Sequence, residues 1–198
     1  MRWSPGRIGP RVGVLKVGCV NGGVFRPEEN KVLPPELEPL PEIGVAADDL
    51  LISRANTREL VGGAAVVDRD YAKLLLCDKL FRLRFDRGVC TPRFIGHYLA
   101  TSGIRGRIEL HATGASSSMV NIGQSTILEL SVALPDLVEQ ESITTYIHQA
   151  CLQIDALTAD AQSATALLRE RRAALISAAV TGKIDVRGLV PQPEAIAA

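Results

Sequence analysis

The sequence predicts an α+β protein: a strand-rich globule over residues 1–135, one long coiled-coil-forming α-helix over 136–182, and a largely disordered tail over 183–198. Three observations predict it. Alternating steps of four and three from Ile143 land on Ile143, Ile147, Ala150, Ile154, Leu157, Ala161, Ala164, Leu168, Arg171, Leu175 and Ala178, where only Arg171 is not apolar. The register one residue later (Thr144, His148, Cys151, Asp155, Thr158, Gln162, Thr165, Arg169, Arg172) is mostly polar. A seam sustained over five heptads predicts a helix packed against another helix. At ~1.5 Å per residue it is roughly 65 Å long, too long to fold back as a core element of so small a domain. Before it, the apolar runs are short and punctuated by Gly, Pro and Asn, as strands are. No βαβ alternation is visible, which argues against a doubly wound nucleotide-binding sheet.

Residues 1–10 are rich in Gly, Pro and Arg and read as irregular. Residues 12–20 have strand character and end in the turn signal Asn21-Gly22-Gly23. Residues 26–41, with Pro34, Pro35, Pro39 and Pro41 among acidic spacers, read as an extended surface loop. Residues 43–53 return to strand character, broken at Asp48-Asp49, and residues 60–67 carry Gly62-Gly63, the mark of a bulge or a close backbone approach. Residues 79–85 alternate: Phe81, Leu83 and Phe85 offer one face to a core, and Arg82 and Arg84 give a basic face to solvent or a partner. Thr91-Pro92 starts a helix reaching about Ser102 that buries Ile95, Tyr98 and Leu99. Residues 127–134 alternate again, with Leu128, Leu130, Val132 and Leu134 on one side of a strand. Asp136 and Glu139 box the start of the long helix. Thr181-Gly182 ends it, with Arg169, Arg171, Arg172 and Lys183 toward the negative end of its dipole.

A chain of 198 residues, 46% hydrophobic, can build a real core. Lys and Arg number 22, as do Asp and Glu, so net charge gives no support for a nucleic-acid partner. The balance hides an asymmetry, because residues 1–135 hold 17 bases against 14 acids. Between positions 79 and 107, seven bases (Lys79, Arg82, Arg84, Arg87, Arg93, Arg105, Arg107) face one acid, Asp86. Such a stretch is either a polyanion-facing surface or a solvated face. Cys19, Cys77, Cys90 and Cys151 form no C-x-x-C pair and share no ligand spacing with His97, His111 or His148, so neither a zinc site nor a disulfide framework is indicated. No membrane-spanning run and no signal-peptide pattern occurs, and the default expectation is a reducing, cytoplasmic home.

The loop from His111 to Asn121 gathers Thr113, Ser116, Ser117, Ser118 and Asn121 around Gly114. Such hydroxyls and amides can donate to phosphate oxygens or base edges; an ordinary polar loop is the plainer alternative. A nucleophilic serine is disfavoured, since no G-x-S-x-G elbow is present. Arg54 and Asn56, two apart at a strand end and followed by Thr57, point to one side of an extended chain. Arg reads guanine and Asn reads adenine by bidentate pairs, while a surface salt bridge is the commoner fate of such an Arg. The phosphate-loop, dinucleotide and zinc-protease motifs are missing, as is the Asn/Asp-Pro-Pro-aromatic signature of adenine methyltransferases.

With these stretches in hand, the chain resembles the specificity subunit of type I restriction–modification systems, as one target recognition domain plus its spacer helix. The resemblance rests on Leu15-Lys16-Val17-Gly18 through Asn21-Gly22-Gly23-Val24-Phe25, on Asp49 to Thr57, on Ala112-Thr113-Gly114 to Ile122, on Leu134-Pro135 to Glu139-Gln140, and on Leu168-Arg169-Glu170-Arg171-Arg172 to Asp185. It covers roughly residues 12–187; residues 1–11 do not resemble the usual opening of a recognition domain. It implies a non-catalytic, double-stranded-DNA-binding subunit that selects the target for methyltransferase subunits and, in the full complex, for ATP-driven restriction subunits. It also implies no cofactor of its own, with S-adenosylmethionine and ATP with magnesium on those partners. Typical members carry two recognition domains and two antiparallel helices, whereas this sequence shows one of each. It therefore reads as a half that pairs with a copy of itself or with another specificity half, or as a truncated remnant acting only through its helix.

On that reading, Arg54, Asn56, Thr57, Thr113, Ser116, Ser117, Ser118 and Asn121 are the expected base-side contacts, and Lys79, Arg82 and Arg84 the phosphate contacts. Glu139, Gln140, Arg171 and Arg172, with the seam residues, are the expected helix-to-helix or methyltransferase contacts. A strut of ~65 Å can bridge half-sites about two turns of B-DNA apart. No second long helix exists in this sequence to bury the six large seam residues, so the seam demands a partner. Ala161 and Ala164 sit where an antiparallel mate would cross.

Overall fold

Short apolar runs interrupted by glycine and proline give short strands. A computed structural model of the chain, describing residues 12–116 and 119–186 (the side chains of Ala115 and Ser116 excepted), contains ten among the described residues, none longer than five residues. In chain order they are β1 (Gly13–Leu15), β2 (Asn30–Val32), β3 (Gly44–Val45), β4 (Leu50–Ser53), β5 (Ala55–Asn56), β6 (Ala64–Val66), β7 (Tyr71–Leu75), β8 (Leu80–Leu83), β9 (Thr113–Ser116) and β10 (Met119–Asn121). The helices are α1 (Pro92–Ala100), α2 (Ser102–Leu110), α3 (Gln124–Leu128) and α4 (Leu137–Val180). The strands form three small sheets, ordered β2-β1-β7-β3, β6-β4-β8 and β5-β10-β9. All pairings are antiparallel except that of β1 with β7.

Strand β4 is the middle of the globule because its sequence, Leu-Leu-Ile-Ser, is buried on both faces. Leu50 and Ile52 face a cluster with Val61, Ile95, Leu99, Ile104, Ile108, Val120 and Ile127. Leu51 faces the opposite cluster, with Leu15, Val20, Ala65, Val67, Leu74 and Leu80. Burying each such side chain contributes about 1.5–3 kcal/mol, so the two clusters hold the sheets together from both sides of β4. The sheet β6-β4-β8 is a central layer, and α1 and α2 lie on the first cluster.

Local chemistry explains most boundaries. Thr91 accepts the Phe94 N–H on its hydroxyl and Pro92 opens α1, as the sequence predicts. Helix α2 is not foreseen by the sequence reading: Gly103 and Gly106 weaken it, and Ile104 and Ile108, one turn apart and both buried, hold it in place. Gly62 has φ +72°, and a Cβ there would sit 2.5 Å from Cγ2 of Ile108, so glycine is required for both its backbone and its lack of bulk. The predicted strand at 60–67 is accordingly a turn at Gly62-Gly63 followed by the short β6. The predicted strand at 12–20 shrinks to β1, after which Val17–Gly23 forms 3₁₀ turns that bury Cys19 and Val20. The predicted strand at 127–134 is not one. Its first residues close α3, and the rest is irregular, with Leu130 and Val132 half-buried on the core and the Tyr98 hydroxyl donating to the Ser131 carbonyl. Alternation alone does not make a strand where no neighbour offers a ladder.

The long helix agrees with the sequence at both ends. Asp136 Oδ1 accepts the Glu139 N–H at 2.9 Å. Beyond Val180, Gly182 adopts φ +72°, its N–H donates to the Ala179 carbonyl, and the Lys183 N–H reaches the Ala178 carbonyl at 2.8 Å. The last turn carries no base, so the expected dipole pairing does not arise; Arg169, Arg171 and Arg172 lie too far back and Lys183 too far on. The chain divides into two compact units, Met1–Thr145 and Tyr146–Ala198, so the first turns of α4 belong to the globular unit. The sequence-predicted irregular opening at 1–10 lies outside the described residues, as does all but the first four residues of the expected tail. Among the described residues, no helix is long and apolar enough to cross a membrane.

Burial pushes the Cys19 thiol up to about 12, with the nearby Cys77 and Glu29 adding to the effect; Cys77 and Cys90 are also raised, chiefly by burial. The folded state thus holds these protons more tightly than the unfolded chain, whose thiols titrate near ~8.5. Their stabilisation is complete below that value and is lost as pH rises toward the folded pKa. The urea midpoint should therefore fall steadily from about pH 8 to about pH 10.5, and Cys19→Ala should flatten that slope. A midpoint constant across the interval would contradict the burial of Cys19.

Candidate nucleic-acid interface

The sheet β5-β10-β9 assembles the predicted site from distant stretches. Asn121 of β10 pairs with Ala55 of β5 on one side and with Thr113 of β9 on the other. Between β4 and β5 the backbone bends at Arg54, whose N–H donates to the Lys79 carbonyl and whose carbonyl accepts the Ile122 N–H. Arg54, Thr113 and Asn121 are exposed, and Lys79 and Thr57 are half-buried. The Arg54 guanidinium donates to the Asp78 carbonyl at 3.2 Å and lies 5.9 Å from the Phe81 ring centroid, an aromatic contact that steadies an exposed cation. Lys79 Nζ lies 4.0 Å from the Met119 sulfur, and the Thr57 hydroxyl donates to Glu59 at 3.3 Å. Ser117, Ser118 and the Ser116 side chain lie outside the described residues.

Three of the predicted contacts are engaged within the protein: Asn56 and Arg82 are turned inward, and Arg84 is exposed but ion-paired. Asn56 is buried: its amide donates to Asn21 Oδ1 (3.2 Å) and Ser53 Oγ (3.3 Å), and its oxygen accepts the Thr57 N–H (2.9 Å). The bend at Arg54 breaks the alternation, so Arg54 and Asn56 do not share a face. Arg82 donates to the carbonyls of Gly44 (2.7 Å) and Glu42 (3.0 Å). Arg84 makes two bonds to the buried Asp49 carboxylate, at 2.6 and 3.3 Å, and Arg82 stands 3.7 Å from it. That hydrogen-bonded carboxylate raises the Arg84 guanidinium above its ordinary pKa. Arg82 is thus spent mainly on backbone carbonyls, whereas Arg84 holds Asp49 with 59% of its side chain still exposed.

The same holds for other bases of the 79–107 stretch. Arg105 donates to the carbonyls of Val61 (2.6 Å) and Glu59 (2.9 Å), and Arg87 pairs with Asp48 at 2.7 Å. Arg93 and Arg107 are exposed. Sequence reasoning missed Asp49, Ser53 and Asn21 as organisers of this region. The signal for Asp49 was the pair Asp48-Asp49 interrupting a strand opposite two alternating arginines.

On α4, Glu139 is exposed but Gln140 is wholly buried, which corrects its expected place at a partner interface. Its oxygen accepts the Thr91 N–H (2.9 Å), and its amide donates to the carbonyls of Val89 (3.1 Å) and Pro135 (2.9 Å). Ile143, Ile147 and Ala150 are half-buried. Beyond them the seam is bare: Ile154 is 61% exposed, Leu157 69%, Leu168 65% and Leu175 50%, and Ala161, Ala164, Arg171 and Arg172 are exposed as well. A shallow groove runs along this face past Ile154, Leu157, Ala161 and Thr165. Among the described residues, no group of three or more His, Cys, Asp or Glu side chains is placed to hold a metal ion.

No protein-family model matches the chain. It is 29% identical over 152 residues to the type I restriction enzyme EcoEI specificity subunit of Escherichia coli, covering 77% of this chain and 26% of that protein. It is 26% identical over 151 residues to the StySPI specificity subunit of Salmonella potsdam, covering 75% of this chain and 32% of that protein. The fold matches the HsdS subunit from Thermoanaerobacter tengcongensis with a TM-score of 0.58 at 18% identity, over 79% of this chain and 40% of that one. The chain resembles type I specificity subunits in sequence and in fold. A solved structure describing complex assembly and conformational transition of the type I R-M system matches too, with a TM-score of 0.62 at 20% identity over 87% of this chain and 39% of that one. The chain spans about a quarter to a third of the curated specificity subunits it matches. The strand-rich globule followed by one long helix matches the HsdS fold over the part of it that this chain covers.

Substitutions separate the inward residues from the outward one. Asn56→Ala and Arg82→Ala should each lower unfolding free energy by about 1–3 kcal/mol, because Asn56 holds the buried Ser53 hydroxyl and Arg82 stands beside the buried Asp49 carboxylate. Arg54→Ala should change it by less than about 0.5 kcal/mol. Chemical denaturation of the three variants measures this; equal effects would contradict the placement.

Proposed function

We propose that this chain is a non-catalytic DNA sequence-recognition subunit of a type I restriction–modification complex. What carries the reading is its similarity in sequence to two specificity subunits, on a chain that joins one recognition-type globule to one helix with an uncovered seam. The globule reads a half-target through the face of the β5-β10-β9 sheet, where Arg54, Lys79, Thr113 and Asn121 meet, and Ser116, Ser117 and Ser118 are further expected contacts. Arg54 suits a bidentate pair to guanine, and Lys79 suits a phosphate. The helix seam takes an antiparallel mate, a second copy or another specificity half, and Glu139, Arg171 and Arg172 are available to methyltransferase subunits. Chemistry then belongs to partners in the cytoplasm: S-adenosylmethionine on the methyltransferase and ATP with magnesium on restriction subunits.

Deleting the gene should abolish one adenine-methylation motif from the methylome of the source cell, and Arg54→Ala should relax it at one position, at a cost of about 1–3 kcal/mol in target binding. An unchanged methylome would leave only a helix-mediated interaction role. The seam has its own test. Leu157→Lys with Leu168→Lys should convert an associated chain to a monomer by sedimentation without loss of the globule's cooperative unfolding. Persistence of the associated form would place the contact elsewhere.

A further inference from the structure

We propose that Gln140 is a positioning residue that sets the gap at which two half-targets are read; this rests on the DNA-reading role proposed above. Gln140 lies in the first turn of α4, within the unit Met1–Thr145, and its side chain has no exposed surface. Three of the four hydrogen bonds its amide can make go to backbone from three places: the Val89 carbonyl before α1, the Thr91 N–H at the cap of α1, and the Pro135 carbonyl before α4. Thr91 is itself engaged, since its hydroxyl holds the Phe94 N–H. One amide therefore ties the start of the long helix to the start of α1.

The three backbone groups around this position need a partner, and an apolar side chain of like volume would leave the Thr91 N–H and the Val89 and Pro135 carbonyls unpaired at a cost in free energy. What the amide adds is direction. Hydrogen bonds weaken steeply with angle, so three of them to fixed backbone groups restrain both tilt and roll of the first turn of α4. Apolar contacts alone tolerate sliding and rotation.

Direction at this joint is what gap discrimination needs. Each base pair added between half-sites moves the second one ~3.4 Å along the duplex and about a tenth of a turn around it. A strut free to swivel at its base accommodates several gaps, whereas a strut fixed in roll accepts one. Gln140 supplies that fixing from inside the recognition unit, without touching DNA or a partner.

The test uses the full chain in its methyltransferase complex. Duplexes carry the two half-targets defined by the methylome, with the gap varied one base pair at a time, and a duplex with a single half-target is the control. Gln140→Met should keep affinity for the single half-target within about twofold while preference for the cognate gap over its neighbours falls by about tenfold. Gln140→Asn, one methylene short of the same three partners, serves as the second variant should Gln140→Met not fold, with the same result expected. Gap preference retained in the folded variant overturns the proposal and leaves DNA reading standing. Parallel loss of half-target affinity also overturns it, by giving Gln140 a merely structural role. A wild-type complex that binds none of the duplexes overturns the DNA-reading role and the proposal together.

Discussion

A carboxylate with almost no access to water governs the charge layout of this protein. Asp49 stands at the base of the central strand with 1% of its surface exposed, and a buried charge must be answered. Arg84 answers with two hydrogen bonds, Arg82 stands close by, and the Ala46 N–H adds a third bond. The turn preceding β4 is shaped around it: Asp48 accepts a positive φ of 65°, a conformation that Asp tolerates better than most residues, and pairs with Arg87. Arg82 is largely covered beside Asp49, whereas Arg84 and Arg87 hold their carboxylates from the surface, with 59% and 74% of their side chains exposed.

How much of this was legible in the sequence follows from how many residues each signal repeats over. The long helix was readable because its seam recurs over five heptads and both ends carry caps. The strands were not readable at their edges, since segments of two to five residues hold too few alternations to set a boundary. Helix α2 hid behind two glycines and is held by two buried isoleucines and by the Arg105 bonds to the Val61 and Glu59 carbonyls. Residues 127–134 carried the alternation of a strand without a neighbour to pair with.

The candidate site was legible as a set of stretches but not as a geometry. Pattern reading gathered Arg54, Thr113 and Asn121, which the β5-β10-β9 sheet brings side by side. It also put Asn56 beside Arg54, because alternation assumes a straight strand and one bend reverses the side. Polar residues are read as outward by default, and Asn56, Asp49 and Gln140 are inward because each meets partners there: the Asn21 and Ser53 side chains for Asn56, Arg84 for Asp49, and three backbone groups for Gln140. Only tertiary contact reveals that need.

The bare seam of α4 has a consequence for the life of the chain in a cell. A copy without a mate presents leucine and isoleucine along several turns of helix, on a protein whose acids and bases cancel to zero net charge. Neither charge repulsion nor a polar covering then keeps such copies apart. Unassembled chains are natural clients of chaperones and proteases, and burial of the seam is what removes them from that pool. The steady abundance of this protein is therefore expected to follow the supply of whatever covers its helix, making the seam a quality-control signal as well as a joint.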